Sequence, residues 1–367
     1  MTGALLPEGF RDRLPPAAEA AARVLHAVVD TCAAHGYDRV QPPLVEYEAG
    51  LMQWLGKTGD GTSLFRASDP HDGAAVALRP DITGQIARIA ATRLGGAPRP
   101  LRLAYAGQVL RARAGQLDPA RERTQVGAEL IGADSVAAVR EVLLVAIEAL
   151  AAAGVGGISV DLTLPELVPA LAYGPWPVPD PDALAAALDA KDAGGLAALG
   201  GERYRGLLEA AGPAGTAIAR LRTLGIGTGL VDRLEALVIG APGVRITIDP
   251  TERHGFEYQS WIGFSLFGTV GGVPVRSEIG RGGAYLVRHP DGTTEPACGF
   301  SLYTDALVDA GLGVVGSDCI FLPWGTAPDI GRALRAAGHR TIAALSPDDE
   351  GTVATHRWTG SDIVRKG

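Results

Sequence analysis

Cysteine is scarce in this chain of 367 residues: Cys32, Cys298 and Cys319 lie far apart. Three scattered thiols give no metal-ligand spacing and no disulfide framework, and they suit a reducing compartment. Lysine is equally rare, with only Lys57, Lys191 and Lys366, so arginine supplies nearly all of the positive charge. The formal net charge is −8. A protein that binds tRNA or DNA usually presents a basic face to neutralise phosphates, so this balance weighs against a nucleic-acid partner. No uninterrupted apolar run approaches the roughly 18 residues of a membrane span. The opening MTGALLPEGFRD has no basic leader region, and Pro7 cuts its short apolar run. The expectation is a soluble, cytoplasmic protein with no membrane partner.

What the chain does have is core-building material. Apolar residues make up 47% of it, ample for a large core and for two domains. Its 50 glycines and 25 prolines form no low-complexity tract, which points to many tight turns rather than disorder. Ala17–Ala34 carries Val24, Leu25, Val28, Val29 and Cys32 on one stripe and is stopped by Gly36, the pattern of an amphipathic helix. GYDRVQPPLVE reads as a strand interrupted by Pro42 and Pro43, which suggests a sheet edge or a subunit boundary. AAVALRPDIT is a second strand running into a turn, and a helix is expected to start near Thr83. RPLRLAYAGQVLRAR and RTQVGAELIGA read as an antiparallel strand pair, followed by a long helix that ends at Gly154. From about 163 to 240 the sequence turns to Ala/Leu-rich helical segments, an inserted lobe. Strands resume at VRITIDP, GFEYQSWIGFSLFGTV, VPVRSEIG and AYLVRHP, and PACGFSLYTDALVDAG is a strand-to-helix turn. Beyond a glycine-rich hinge at 311–316, a small strand–helix–strand unit closes the chain. The predicted class is α+β, a body built on an antiparallel sheet with a short α/β unit after it.

Several polar residues in these segments bear on chemistry. Asp81 and Thr83 leave a strand end together, so a carboxylate and a hydroxyl can face one side. Such a pair suits an ammonium group, which needs acceptors; the alternative is that one of them caps the following helix. Arg111 can clamp a carboxylate or phosphate, or it is a surface residue. Gln125 and Glu129, four apart on a strand, share a face because the side-chain period is two. A carboxylate placed there can accept from an imidazole N–H and fix its orientation. Taken singly, each is also an ordinary solvated strand residue.

As an ordered set these segments resemble the catalytic domain of histidyl-tRNA synthetases, a class II aminoacyl-tRNA synthetase fold. PEGFRDRLPP resembles that family's opening, and GYDRVQPPLVE resembles motif 1, the dimer-forming element. LRPDITGQIAR is similar to its R-P-E-G-T segment, with Asp81 for the Glu and Thr83 matching the Thr. AYAGQVLRAR and RTQVGAELIG resemble motif 2 and the segment next to it, which places Arg111 on the motif 2 arginine and Gln125 and Glu129 on two histidine contacts. HGFEYQSWIGFSLF resembles the histidine loop R-G-L-D-Y-Y, IGRGGAYL resembles G-G-R-Y-D, and ACGFSLYTDAL resembles motif 3.

The departures fall on the nucleotide side. Arg113 stands where motif 2 has a Glu for the adenine amino group, and Ala306 where motif 3 has an arginine over the ATP phosphates. His254 aligns with the catalytic arginine, and Gln259 with the second tyrosine, leaving Tyr258 as the first. Losing cations that face polyphosphate and transition-state charge costs several kcal/mol each, on the order of three powers of ten in rate. The segment 317–367 resembles an anticodon-binding domain with its middle missing, poorly equipped to read tRNA.

A retained amino-acid pocket with lost nucleotide groups is similar to the regulatory subunits of ATP phosphoribosyltransferase. That resemblance implies a non-catalytic chain at the first step of histidine biosynthesis, partnered with the short-form catalytic subunit. It implies a dimer of this chain within a hetero-octamer, and histidine as effector. By the same resemblance Asp81, Thr83 and Gln125 surround the ammonium, Glu129 meets the imidazole, Arg111 the carboxylate, and Tyr258 forms a pocket wall. No catalytic residue, metal or cofactor is implied. The implied domains are 1–310, with the helical lobe at 163–240, and 317–367. A working synthetase, with Arg253 and Arg281 replacing the lost cations, and a stand-alone amino-acid-binding module are the competing readings.

Overall fold

The computed structural model describes residues 5–55, 64–113, 119–226, 228–239, 243–253, 259–289, 291–316 and 318–366. The chain divides into two units, one of Met1–Arg13 and Ala17–Gly313, the other of Leu14–Pro16 and Val314–Gly367.

The first unit opens with α1 (Ala17–Ala34), where the apolar stripe predicts it. Gly36 takes φ +78, a left-handed value that costs glycine little, and turns the chain into β1 (Asp38–Arg39). The stripe is satisfied inside the chain: Ala20, Val24, Val28 and Cys32 are buried against α4 (Val136–Ala152) in one core. Pro42 and Pro43, which lack donors for a ladder, separate β1 from β2 (Val45–Tyr47). The two halves then serve different sheets. β1 pairs in parallel with β5 (Leu101–Leu110) at the edge of the large sheet. β2 pairs with β4 (Ala75–Leu78), which also holds β3 (Phe65–Ser68), a strand not evident from the sequence pattern. Leu51 of α2 (Glu48–Leu55) and Leu64 pack with Ala77 of this small sheet.

The hairpin of β5 and β6 (Glu122–Ile131) is antiparallel, from Leu101↔Ile131 to Leu110↔Glu122. The rest of the large sheet is β7 (Gly156–Thr163), β8 (Gly212–Pro213), β9 (Arg245–Asp249), β10 (Gln259–Val270), β11 (Val273–Pro274), β12 (Gly280–Arg288) and β13 (Thr294–Tyr303). Among the described residues the order is β1-β5-β6-β13-β12-β10-β7-β9-β8, with β11 paired to β10. VPVRSEIG was expected as a strand, but only Val273–Pro274 pairs with β10, and β12 begins at Gly280. The Glu278 carboxylate in that interval accepts from Ser265 and Arg281.

Helices α1 and α4 cover one face of this sheet. Ser135 caps α4 by accepting from the Ala138 N–H at 3.2 Å. On the other face lies α3 (Thr83–Ala91), whose Ile86 and Ala90, with Ile82 just before it, pack on Leu103, Tyr105, Ile131 and Tyr285. Between β7 and β9 run α5 (Leu167–Ala172), α6 (Pro181–Asp189), α7 (Ala193–Ala198), α8 (Arg205–Glu209), α9 (Ala214–Thr223) and α10 (Thr228–Ile239). Their Leu184, Leu188, Leu207, Leu221 and Leu234 are buried in the same cluster as the α4 side of the sheet, so this helical segment shares the main core. The short α11 (Asp305–Asp309) follows β13.

The second unit is a small α/β structure. It contains β14 (Cys319–Leu322), α12 (Pro328–Ala336), β15 (Arg340–Ala343), β16 (His356–Trp358) and β17 (Ile363–Arg365), in sheet order β15-β14-β16-β17. β14 is parallel to both neighbours and β17 is antiparallel to β16. Among the described residues no helix is long and apolar enough to cross a membrane, and no group of three metal-ligating side chains gathers.

Candidate functional site

The site is written into the register of the large sheet. One row of directly paired residues reads Thr163, Gly263, Gly283, Gly299, Glu129, Leu103 across β7, β10, β12, β13, β6 and β5. Three adjacent strands thus present glycine on the face away from α1 and α4, and the missing side chains leave a trough. Glu129 fills one end of it, since a Cβ on Gly299 would overlap its carboxylate. Gln259 fills the other, since a Cβ on Gly263 would overlap its amide. The next row on the same face reads Ser265, Arg281, Ser301, Gly127, Tyr105. Gly127 lets the Tyr105 ring lie across β6, so that its hydroxyl reaches Ser301 Oγ at 2.8 Å.

The resulting cleft is lined by Asp81, Thr83, Glu129, Gln259, Arg281, Tyr285 and Ser301 among others. At its base Glu129 is buried; Oε1 accepts from Tyr105 Oη at 3.1 Å and Oε2 from Tyr285 Oη at 2.8 Å. Burial pushes its carboxyl up to about 8, although the two tyrosine hydroxyls pull the other way. The Tyr105 phenol is raised well above its ordinary value by burial and then by the Glu129 charge. Nearby, Gln125 is fixed on three sides. Its Oε1 accepts from the Ile82 N–H at 2.9 Å, and Nε2 donates to Asp81 Oδ2 and Ser301 Oγ, both at 2.8 Å. Asp81 Oδ1 accepts from the Thr83 N–H at 2.7 Å, and Thr83 Oγ1 lies 3.2 Å from Tyr105 Oη. Asp81 therefore does both things the sequence allowed: it ties down the first N–H of α3 and faces the cavity. The lining combines the carboxylates of Asp81 and Glu129, the hydroxyls of Thr83, Tyr285 and Ser301, and the Arg281 guanidinium. Groups of both kinds are what the two charges of an amino-acid zwitterion need.

A family model described as histidyl-tRNA synthetase matches residues 9–307. The ATP phosphoribosyltransferase regulatory subunit of Paramagnetospirillum magneticum is 45% identical over 356 residues, covering 94% of this chain and 91% of that relative. The regulatory subunit of the same name from Rhodospirillum centenum is 41% identical over 381 residues, covering 98% and 96%. The chain belongs to the ATP phosphoribosyltransferase regulatory subunit family. An ATP phosphoribosyltransferase regulatory subunit/histidyl-tRNA synthetase from Bacillus halodurans C superposes with TM-score 0.79 at 26% identity, over 96% of this chain and 95% of that one. The histidyl-tRNA synthetase of Nostoc sp. PCC 7120, at 16% identity, shares the fold with TM-score 0.77, covering 97% and 90%. The class II synthetase-like α+β architecture expected from the sequence is therefore the fold of this family member.

Of the expected pocket residues, Asp81, Thr83 and Glu129 line the cavity, and Gln125 stands behind Asp81 and Ser301. Arg111 does not join them. It lies one residue past β5, exposed, its N–H donating to the Arg121 carbonyl at 2.7 Å, and it is not among the lining residues. Tyr258 and His254 lie outside the described residues. Arg253 is exposed, with its N–H donating to Asp189 Oδ1 at 2.8 Å. Ala306 is the second residue of α11. Residue-by-residue reading missed Tyr285 and Ser301, which line the cavity, and Tyr105, which donates to Glu129. Alternation within IGRGGAYL puts Arg281, Gly283 and Tyr285 on one face, but the pairing of β12 beside β13 is needed to aim that face at Glu129.

Proposed function

We propose that this chain is a non-catalytic regulatory subunit that activates a short-form ATP phosphoribosyltransferase catalytic chain and carries its histidine sensor. The observation that carries the sensing role is the buried Glu129 carboxyl. It sits between two tyrosine hydroxyls, with the Asp81–Gln125 pair beside it. In this reading Glu129 meets an imidazole nitrogen, and Asp81, Thr83 and Gln125 hold or back the α-ammonium group. Regulation then amounts to a coupling free energy, with histidine binding the inhibited arrangement of the complex better than the active one.

Two features of the chain support the absence of adenylation. Arg113 and Ala306 stand where the synthetase pattern has a carboxylate for adenine and an arginine for phosphate. The proposed assembly pairs a dimer of this chain with the catalytic chain in a hetero-octamer. Co-purification with a short-form catalytic chain, followed by its activity with and without histidine, tests the reading. Stimulation that histidine reverses is the expected result. Histidine-dependent pyrophosphate exchange by this chain alone would favour a working synthetase.

A further inference from the structure

The cation that lines the cavity is Arg281, on β12, not Arg111. Its position is built from three strands. Arg281 pairs across the sheet with Ser265 on β10 and with Ser301 on β13, and Ser301 also lines the cavity. Glu278, just before β12, accepts from Arg281 Nε and, through its other oxygen, from Ser265 Oγ at 3.0 Å. Glu278 and Arg281 keep side-chain exposures of only 17% and 29%, so water competes weakly for this pair. Anchoring a guanidinium through Nε fixes its plane, and carboxylates are recognised in that plane by paired N–H donors. The Tyr303 phenol is raised by burial and then by Asp81, while Arg281, Arg111 and Arg123 draw it down, so Arg281 is one of three guanidinium groups near that ring. Of these, Arg281 lines the cavity, whereas Arg111 is exposed beyond the end of β5 and does not.

Building on the histidine reading above, we propose that Arg281 takes the ligand's carboxylate, with Glu278 and Ser265 as positioning residues. The cavity then makes three-point contact with its ligand: Glu129 with the imidazole, Asp81 with the ammonium, and Arg281 with the carboxylate. It selects a free α-amino acid and rejects imidazole amines that lack the carboxylate. The discriminating pair is histidine and histamine, which share the ring and the ammonium and differ in that one group.

Calorimetric titration of the full chain with both compounds tests this. The parent chain should bind histidine about 10-fold or more tighter than histamine, the margin expected from losing one charge-assisted contact to a guanidinium. In Arg281→Met, histidine should weaken by that factor while histamine moves less than about 3-fold, so the ratio collapses toward one. Arg111→Met should keep the parent ratio. Glu278→Gln should lower histidine affinity roughly 3- to 10-fold and leave histamine unmoved, a selectivity change that a general loss of packing does not produce. It also serves if Arg281→Met fails to fold. A parent-like ratio in the Arg281→Met chain, or a collapsed ratio in Arg111→Met, overturns the assignment while leaving histidine binding intact. Failure of the parent to bind histidine overturns both this assignment and the sensing role on which it rests.

Discussion

Burial and two phenols pull the Glu129 carboxyl in opposite directions, and burial wins, leaving it at about 8. An unfolded glutamate titrates near 4.3, so between about pH 4.5 and 8 the folded chain holds a proton that the unfolded chain has lost. The stabilisation from that proton is complete below about pH 4.3 and disappears as pH rises through about 8. Glu129→Gln should therefore flatten the decline of melting temperature between pH 5 and pH 9. Parallel melting curves for variant and parent across that range would refute the assignment of the proton. The same residue carries the ligand prediction. Removing Glu129 or Asp81 leaves a ligand donor unpaired in a desolvated pocket, a loss of about 2–4 kcal/mol, or roughly 30- to 1000-fold in affinity. Calorimetric titration of Glu129→Ala and Asp81→Ala with histidine measures it directly. These two residues are legible in the sequence because one strand period and one motif place them. Tyr105 and Ser301 are not, because their roles arise only when β13 lies against β6 and Gly127 opens the path between them.

At the scale of elements, the cavity depends on what the strands lack. Gly263, Gly283 and Gly299 align across β10, β12 and β13, and each would place a Cβ against a neighbour. Gly299→Ala should force Glu129 out of its place between Tyr105 and Tyr285. The cost expected for such overpacking is about 1–3 kcal/mol of stability, read by urea unfolding, together with loss of histidine binding. Parent-like binding by that variant would show the trough to be unused. Secondary structure here is largely readable from pattern: α1, α3 and the β5–β6 hairpin fall where periodicity puts them. Pattern fails where elements are too short to carry a period, as in the four-residue β3, and where a strand is interrupted, as between Pro274 and Gly280. Arg111 misleads for a related reason. A motif assigns an arginine to the end of a strand, but the lining of the cavity is set by which strand lies across from Glu129.

For the whole molecule, exposed apolar groups point to association. Leu44, Val45 and Tyr47 are 40%, 43% and 58% exposed around the proline-interrupted segment 36–46. A homodimer covering this stretch is the expected state in light scattering at micromolar concentration, and a monomer there would count against it. The net charge of −8 and the residues at 113 and 306 set a second expectation for the isolated chain. Histidine-dependent pyrophosphate exchange should stay at the no-enzyme level. We propose that the cavity lined by Asp81, Glu129 and Arg281 senses histidine on behalf of a catalytic partner. A histidine inhibition curve on the reconstituted complex, each variant scaled to its own uninhibited rate, tests it most directly. Glu129→Ala should shift the midpoint upward by roughly 30- to 1000-fold. A curve that overlays the parent would show that this cavity plays no part in feedback.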